Sequence, residues 1–165
     1  VIVRFLTFTP QSLRLACSEM LILTQRYQRY DEKWEANETL SLDAEARSRP
    51  RQHLTLDSGE ACYLRLPRGT ILQAGDCLES EDRTSIVRII AKPESVLTVK
   101  ATQPEDLLKA AYHLGNRHVP LEITLDYLRL SPDPVLEKML EHMGLTVIAE
   151  VIPFFPELGA YHHEH

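Results

Sequence analysis

Three histidines crowd the end of this chain: His162, His163 and His165, with Glu164 between the last two. Imidazole nitrogen suits nickel, copper and zinc, and a histidine-rich tract is a metal-binding signal. Such a segment can adapt to an ion without a preformed cage. Ordering it costs entropy, which limits what the tail binds unaided. A histidine-rich terminus is also the signature of a purification handle. Glu164 breaks the run that such a handle would have, and the tail is read as native.

The other four of the seven histidines stand apart. His113 and His118 flank a helix stop in Tyr112-His113-Leu114-Gly115-Asn116-Arg117-His118. They fall on either side of the helix end and need not share a face. From spacing alone they read as C-terminal capping residues, where the helix dipole favours positive charge. His53 lies on an alternating strand and reads as structural. His142 lies off the core stripe of its helix and reads as a surface residue.

Other chemistries find little support. There is no nucleophile elbow, no phosphate-cradling glycine loop and no HExxH motif, so an enzyme is not expected. The three cysteines, Cys17, Cys62 and Cys77, have neither zinc-knuckle nor CxxC spacing. A sparse, odd set suggests a reducing compartment, and each reads as a small buried apolar residue. The net charge of -6 gives no general attraction for nucleic acid. The one basic cluster, Arg47, Arg49 and Arg51, reads as a solvated linker or strand start. No stretch has the roughly 20 apolar residues of a membrane span. The opening Val1-Ile2-Val3-Arg4-Phe5-Leu6 lacks the features of a signal peptide. A soluble, cytoplasmic protein is expected.

The elements that must position the histidines fall into two textures. Residues 1–92 carry short alternating runs and turn signals, which predicts a small all-β domain. Gln52–Leu56 and Ala61–Leu66 flank Ser58-Gly59 as a hairpin. Pro67-Arg68-Gly69 and Ala74-Gly75-Asp76 read as turns, and Ser85–Ala91 as a further strand. The polar stretch Gln25–Asp43 has no clear assignment. Residues 93–152 then read as strand, helix, strand, strand, helix, strand, the ferredoxin-like βαββαβ order. Thr102 and Glu105 have capping-box spacing ahead of a helix whose apolar face is Leu107, Leu108, Ala111 and Leu114. Gly115-Asn116 ends it, since both residues tolerate the left-handed conformation. Leu121, Ile123 and Leu125 alternate as a strand, with a glycine-free turn near Asp126-Tyr127 before Leu128 and Leu130. Asp133 caps a second helix with Pro134 at its first position. Its apolar face is Val135, Leu136, Met139, Leu140 and Met143, and Gly144 ends it. Leu145–Ile152 is the last strand, and residues 153–165 form a flexible tail. The class is α+β.

The run Ala110-Ala111-Tyr112-His113-Leu114-Gly115-Asn116-Arg117-His118-Val119-Pro120-Leu121 strongly resembles the signature of the urease accessory nickel metallochaperone family. Leu66-Pro67-Arg68-Gly69, Asp133–Leu140 and Phe155–Tyr161 look similar in the same order. The resemblance implies a homodimer in which His118 of each subunit is the interfacial metal ligand, because a two-fold contact repeats itself. His162, His163 and His165 would then complete the coordination, and His113 would be structural. It implies nickel as cargo, with zinc or copper able to substitute. It also implies apo-urease and other accessory proteins, including a GTPase, as partners. Some relatives carry histidines just before the second helix, where this chain has Ser131-Pro132-Asp133-Pro134, so few ions per dimer are expected. Two other readings stay open: a peptide- or protein-binding β module with incidental metal, and a metal-dependent hydrolase using an open coordination position.

Overall fold

A computed structural model describes residues 20–28 and 35–158. The expectations for Val1–Leu6, for Cys17 and for the histidines of the tail lie outside the described residues.

The first part builds a six-stranded sheet from β1 (Leu21–Tyr27), β2 (Glu38–Leu42), β3 (Arg51–Thr55), β4 (Ala61–Arg65), β5 (Cys77–Ser80) and β6 (Ile86–Ala91). Their order is β2-β6-β5-β1-β4-β3. The β1/β4 and β2/β6 pairs are parallel and the others antiparallel. The hairpin falls where its turn residues put it. Leu56 N–H donates to the Glu60 carbonyl at 2.8 Å. Gly59 stands at φ 94, a conformation open to a residue without Cβ. The core is aliphatic and includes Leu23, Leu40, Leu64, Leu78 and Ile89.

The polar stretch without an assignment, Gln25–Asp43, contains the end of β1 and all of β2. Strand β1 sits in mid-sheet although Leu23 alone of its seven residues is buried. Its arginine is absorbed by a pair, Arg26 Nε to Asp76 Oδ2 at 2.7 Å. The region is also not purely β. One helical turn, α1 (Ala44–Arg47), follows β2, capped by the Asp43 side chain accepting from Ala46 N–H. That turn corrects the basic-cluster reading: Arg47 points inward and is buried, while Arg49 and Arg51 are exposed.

The second part runs β7 (Glu94–Lys100), α2 (Pro104–Gly115), β8 (Glu122–Ile123), β9 (Leu128–Leu130), α3 (Pro134–His142) and β10 (Thr146–Ile152). Its sheet has the order β10-β7-β9-β8, with every pair antiparallel. Both helices pack on one face, where Leu97, Val99, Leu128 and Leu130 meet Leu107, Leu114 and Leu140. Asp133 caps α3 as expected, accepting from Val135 and Leu136 N–H.

Three local expectations fail. Gln103, not Thr102, is the N-cap of α2, and no side chain caps it. Leu108 and Val135 are 71% and 75% exposed, so neither belongs to its helix's core face. Ala110 takes the buried place on α2. Finally, the alternation at Leu121-Glu122-Ile123 assigns faces correctly but not burial. Glu122 is 8% exposed, its carboxylate accepting from Arg129, Tyr127 and the Phe155 N–H, whereas Ile123 is 47% exposed.

The two parts meet around the peptide group between Phe154 and Phe155. The carbonyl of Phe154 accepts a short hydrogen bond from Arg47 Nη2. The N–H of Phe155, on the other side of the same peptide bond, donates to Glu122 Oε2 at 2.9 Å. Arg47 also lies 5.2 Å over the Phe155 ring, and Glu94 accepts from Ala44 N–H at 2.7 Å.

Candidate metal centre

His118 is presented by an unusual helix ending. Helix α2 closes with Val119 N–H donating to the Leu114 carbonyl at 3.2 Å and His118 N–H donating to that of Gly115 at 2.9 Å. This paired closure demands a left-handed residue between the two bonds, a place usually held by glycine. Here His118 holds it, at φ 56. Gly115 and Asn116, the expected stop, are not left-handed; Asn116 stands at φ -63. Val119 and Leu114 meet in the core, which fixes the turn. The imidazole of His118 is thus carried, exposed, on backbone held from both sides.

The remaining histidines do not join it. His113 is exposed in the last turn of α2, its ring edge-on to Tyr112 at 5.5 Å. Its position fits the capping expectation. His142 is exposed, as read. His53 is exposed as well, its ring tilted by 40° against that of its cross-strand neighbour Tyr63, with 4.6 Å between centroids. Among the described residues no three His, Cys, Asp or Glu side chains converge as a metal cage. Cys62 and Cys77 are buried free thiols, and burial pushes the Cys62 thiol up to about 11, with Glu60 adding to the rise. A cavity of about 470 Å³ at the junction is lined by Arg47, Glu94, Pro120 and Phe155 among others, with no histidine or cysteine.

Around His118 two features stand out. The outer side of α2 carries Leu108 and Tyr112, 71% and 68% exposed, one turn apart. Gly115 continues the same stripe toward His118, and space beyond it is open, whereas Ala111 is half-buried against the core. The second feature is the root of the C-terminal segment. Glu157 N–H donates to the Leu121 carbonyl at 2.6 Å. With the Phe155 N–H on Glu122, this places residues 155–157 beside Leu121 and Glu122, at the start of β8. Glu122 Oε1 accepts from Arg129 Nη1 at 2.8 Å and from Tyr127 Oη at 2.9 Å. Accepting that hydroxyl, the carboxylate raises the Tyr127 phenol above its ordinary pKa.

Comparison with known proteins decides the family. The UreE urease accessory protein models match twice, the N-terminal domain over residues 23–91 and the C-terminal domain over residues 94–165. The urease accessory protein UreE of Thermosynechococcus vestitus is 63% identical over 123 residues, 74% of this chain and 85% of the relative. That of a Nostoc species is 59% identical over 127 residues, 77% and 86% of the two chains. That of Pseudomonas putida is 50% identical over 123 residues, 74% of each. The chain belongs to the UreE family of urease accessory proteins. It is an accessory chaperone, not an enzyme, and its two-part α+β build agrees with the two family domains. Among the described residues no helix is long and apolar enough to cross a membrane.

Sequence reasoning reached His118 through the family signature, not through its conformation. Its left-handed backbone has no residue-type signal, because Gly115-Asn116 offers a more ordinary stop just before it. The burial of Glu122 was also missed, since alternation alone assigns it to solvent.

Proposed function

We propose that the chain is a nickel metallochaperone that captures Ni(II) at a dimer-interface histidine site and delivers it for urease maturation. His118 of each subunit of a homodimer anchors the ion, and His162, His163 and His165 complete the coordination. The observation that carries this reading is the exposed His118 on a doubly bonded helix end, with no complete cage among the described residues of one chain. A ligand held that firmly but alone needs others from elsewhere.

Two observations supply them. The open stripe of Leu108, Tyr112 and Gly115 suits a second copy of α2, which would bring two His118 side chains together across the axis. The tail root at Leu121 supports the remaining ligands. Three residues separate Leu121 from His118, a span of at most about 11 Å, whereas the five residues from Glu157 to His162 reach up to about 18 Å. The tail is long enough to arrive.

The division of labour follows. Residues 1–92 serve protein contacts, residues 93–152 form a ferredoxin-like unit for dimerisation and metal, and residues 153–165 are the metal-binding tail. The strand order of the second sheet supports the ferredoxin-like assignment. Nickel is cargo, with zinc or copper able to substitute, and the setting is cytoplasmic. Apo-urease and the other accessory proteins, a GTPase included, are the partners. An exchangeable site of this kind suits transfer better than a closed structural cage. Imidazole ligates when neutral, so capture weakens with acidification.

Nickel calorimetry on the intact chain, on His118→Ala and on a chain ending at Tyr161 tests the proposal. The tight site is lost in the first variant, and stoichiometry or affinity falls in the second. Unaltered tight binding in His118→Ala would sink the interfacial site.

A further inference from the structure

The run of Arg47, Arg49 and Arg51 is taken apart by the fold. Arg47 is buried and Arg49 pairs with Glu45, which leaves Arg51. The antiparallel register of β3 and β4 sets Arg51 directly opposite Arg65. Side chains so opposed share a face of the sheet, and both arginines are exposed. Like charges in this relation destabilise a strand pair. Arg65 has an ion-pair partner in Glu81, whereas Arg51 has none among the described residues. Two residues along, the same face carries His53 opposite Tyr63, with their rings in contact. Tyr63 in turn neighbours the half-buried Ile22 of β1. Counting Glu81 against the two arginines, this face keeps a net positive charge on a chain whose total is -6. Arginine and tyrosine are also the residue types enriched where proteins bind one another.

We propose that the outer face of the β3–β4 hairpin docks an acidic segment of a partner protein, with Arg51 and Arg65 as its charged anchors. This rests on the reading that residues 1–92 serve protein contacts, and it names the chemistry of the partner. Opposed side chains start about 5 Å apart at Cβ, so both guanidinium groups can reach one incoming carboxylate. Such a carboxylate replaces the repulsion between them with two charge-assisted hydrogen bonds. Tyr63 and Ile22 offer apolar contact beside that anchor. The negative charge over the rest of the chain disfavours a long polyanion and leaves a short acidic segment as the better fit. Attraction of this kind weakens as salt is added.

Calorimetry of the full-length chain with purified apo-urease, and with the accessory GTPase, tests this. A chain carrying Arg51→Thr and Arg65→Thr binds one of them about tenfold more weakly than the parent and loses most of the salt dependence, while its nickel binding is unchanged. Unchanged affinity for both overturns the proposal. Arg51→Thr alone raises the urea midpoint, because the opposed charges are relieved. A lowered midpoint makes Arg51 a structural residue and also overturns it. A second probe needs neither a variant nor a protein partner. Hexaglutamate added to the parent chain shifts the Nε–H resonances of Arg51 and Arg65 and leaves that of the exposed Arg117, in the other half of the chain, in place. Equal shifts at all three, or none, overturn the proposal. An equal response to a thymidine oligonucleotide assigns the face to anions in general and overturns the acidic protein partner. Failure of the underlying reading looks different: neither apo-urease nor the GTPase then binds the parent chain.

Discussion

His118 and Gly144 occupy the same place at the ends of the two long helices, both left-handed, at φ 56 and φ 81. Helix α3 closes as α2 does, with Leu145 N–H on the Leu140 carbonyl at 3.2 Å and Gly144 N–H on that of Glu141 at 2.9 Å. The fold solves one backbone problem twice, once with the residue that suits it and once with an imidazole. Histidine enters this region more readily than most side chains, but not as easily as glycine.

That parallel separates stability from binding. His118→Gly is expected to stabilise the chain by about 1 kcal/mol while abolishing tight nickel binding. His118→Ala abolishes binding without the gain. Gly144→Ala is expected to destabilise by about 1–2 kcal/mol. Urea midpoints read all three, and a His118→Gly chain less stable than the parent would contradict the strain assigned to His118.

The outer stripe of α2 predicts the assembly. Leu108→Asp should yield a monomer at concentrations where the parent is a dimer, seen as a halved mass by light scattering. Two leucines per dimer contribute about 4 kcal/mol, roughly a thousandfold in association. Tight nickel binding should fall with it although His118 is untouched. An unchanged mass would put the interface elsewhere.

Arg47 ties α1 to the segment after β10. Desolvation lowers its pKa, opposed by the charges of Glu94 and Asp43. Its Nε has no hydrogen-bond partner among the described residues. Arg47→Ala should cost about 2–4 kcal/mol, since it strands the Phe154 carbonyl and vacates packed space. Arg47→Met keeps the packing and sheds the buried charge, so its loss should be clearly smaller. Equal losses by chemical denaturation would show that packing contributes little.

Cys62 gives a pH dependence with a definite sign. Its thiol is held at about 11 against an ordinary value near 9.0. The folded chain keeps this proton longer than the unfolded chain, so the contribution is complete below pH about 9 and is lost as pH rises toward about 11. Stability should fall across that window, and Cys62→Ser should flatten the fall. At neutral pH a water-soluble thiol reagent should leave Cys62 unmodified until the chain unfolds.

Local chemistry was legible in the sequence where one or two residues decide the outcome. Ser58-Gly59 specifies its turn, and Asp133-Pro134 its cap, through bonds to residues close by. Features decided by distant partners were not legible. Strand β1 sits in mid-sheet because neighbours on both sides pair with it, not because its own residues are apolar. Arg47 turns inward because Phe154, far along the chain, offers a carbonyl. Thr102 and Glu105 have the right spacing for a box, yet the helix starts one residue later than that spacing needs. The site divides similarly. His118 was found through the family signature, its left-handed backbone was not, and the tail trio was evident from composition.

The peptide group between Phe154 and Phe155 has a thermodynamic consequence. A chain with two separate aliphatic cores could melt in two steps, each core losing order at its own temperature. Here one rigid amide plane is gripped at its oxygen by a cation from the first half and at its hydrogen by an anion from the second. Loosening either half turns that plane and weakens the other grip. The two cores are thereby coupled toward a single cooperative transition.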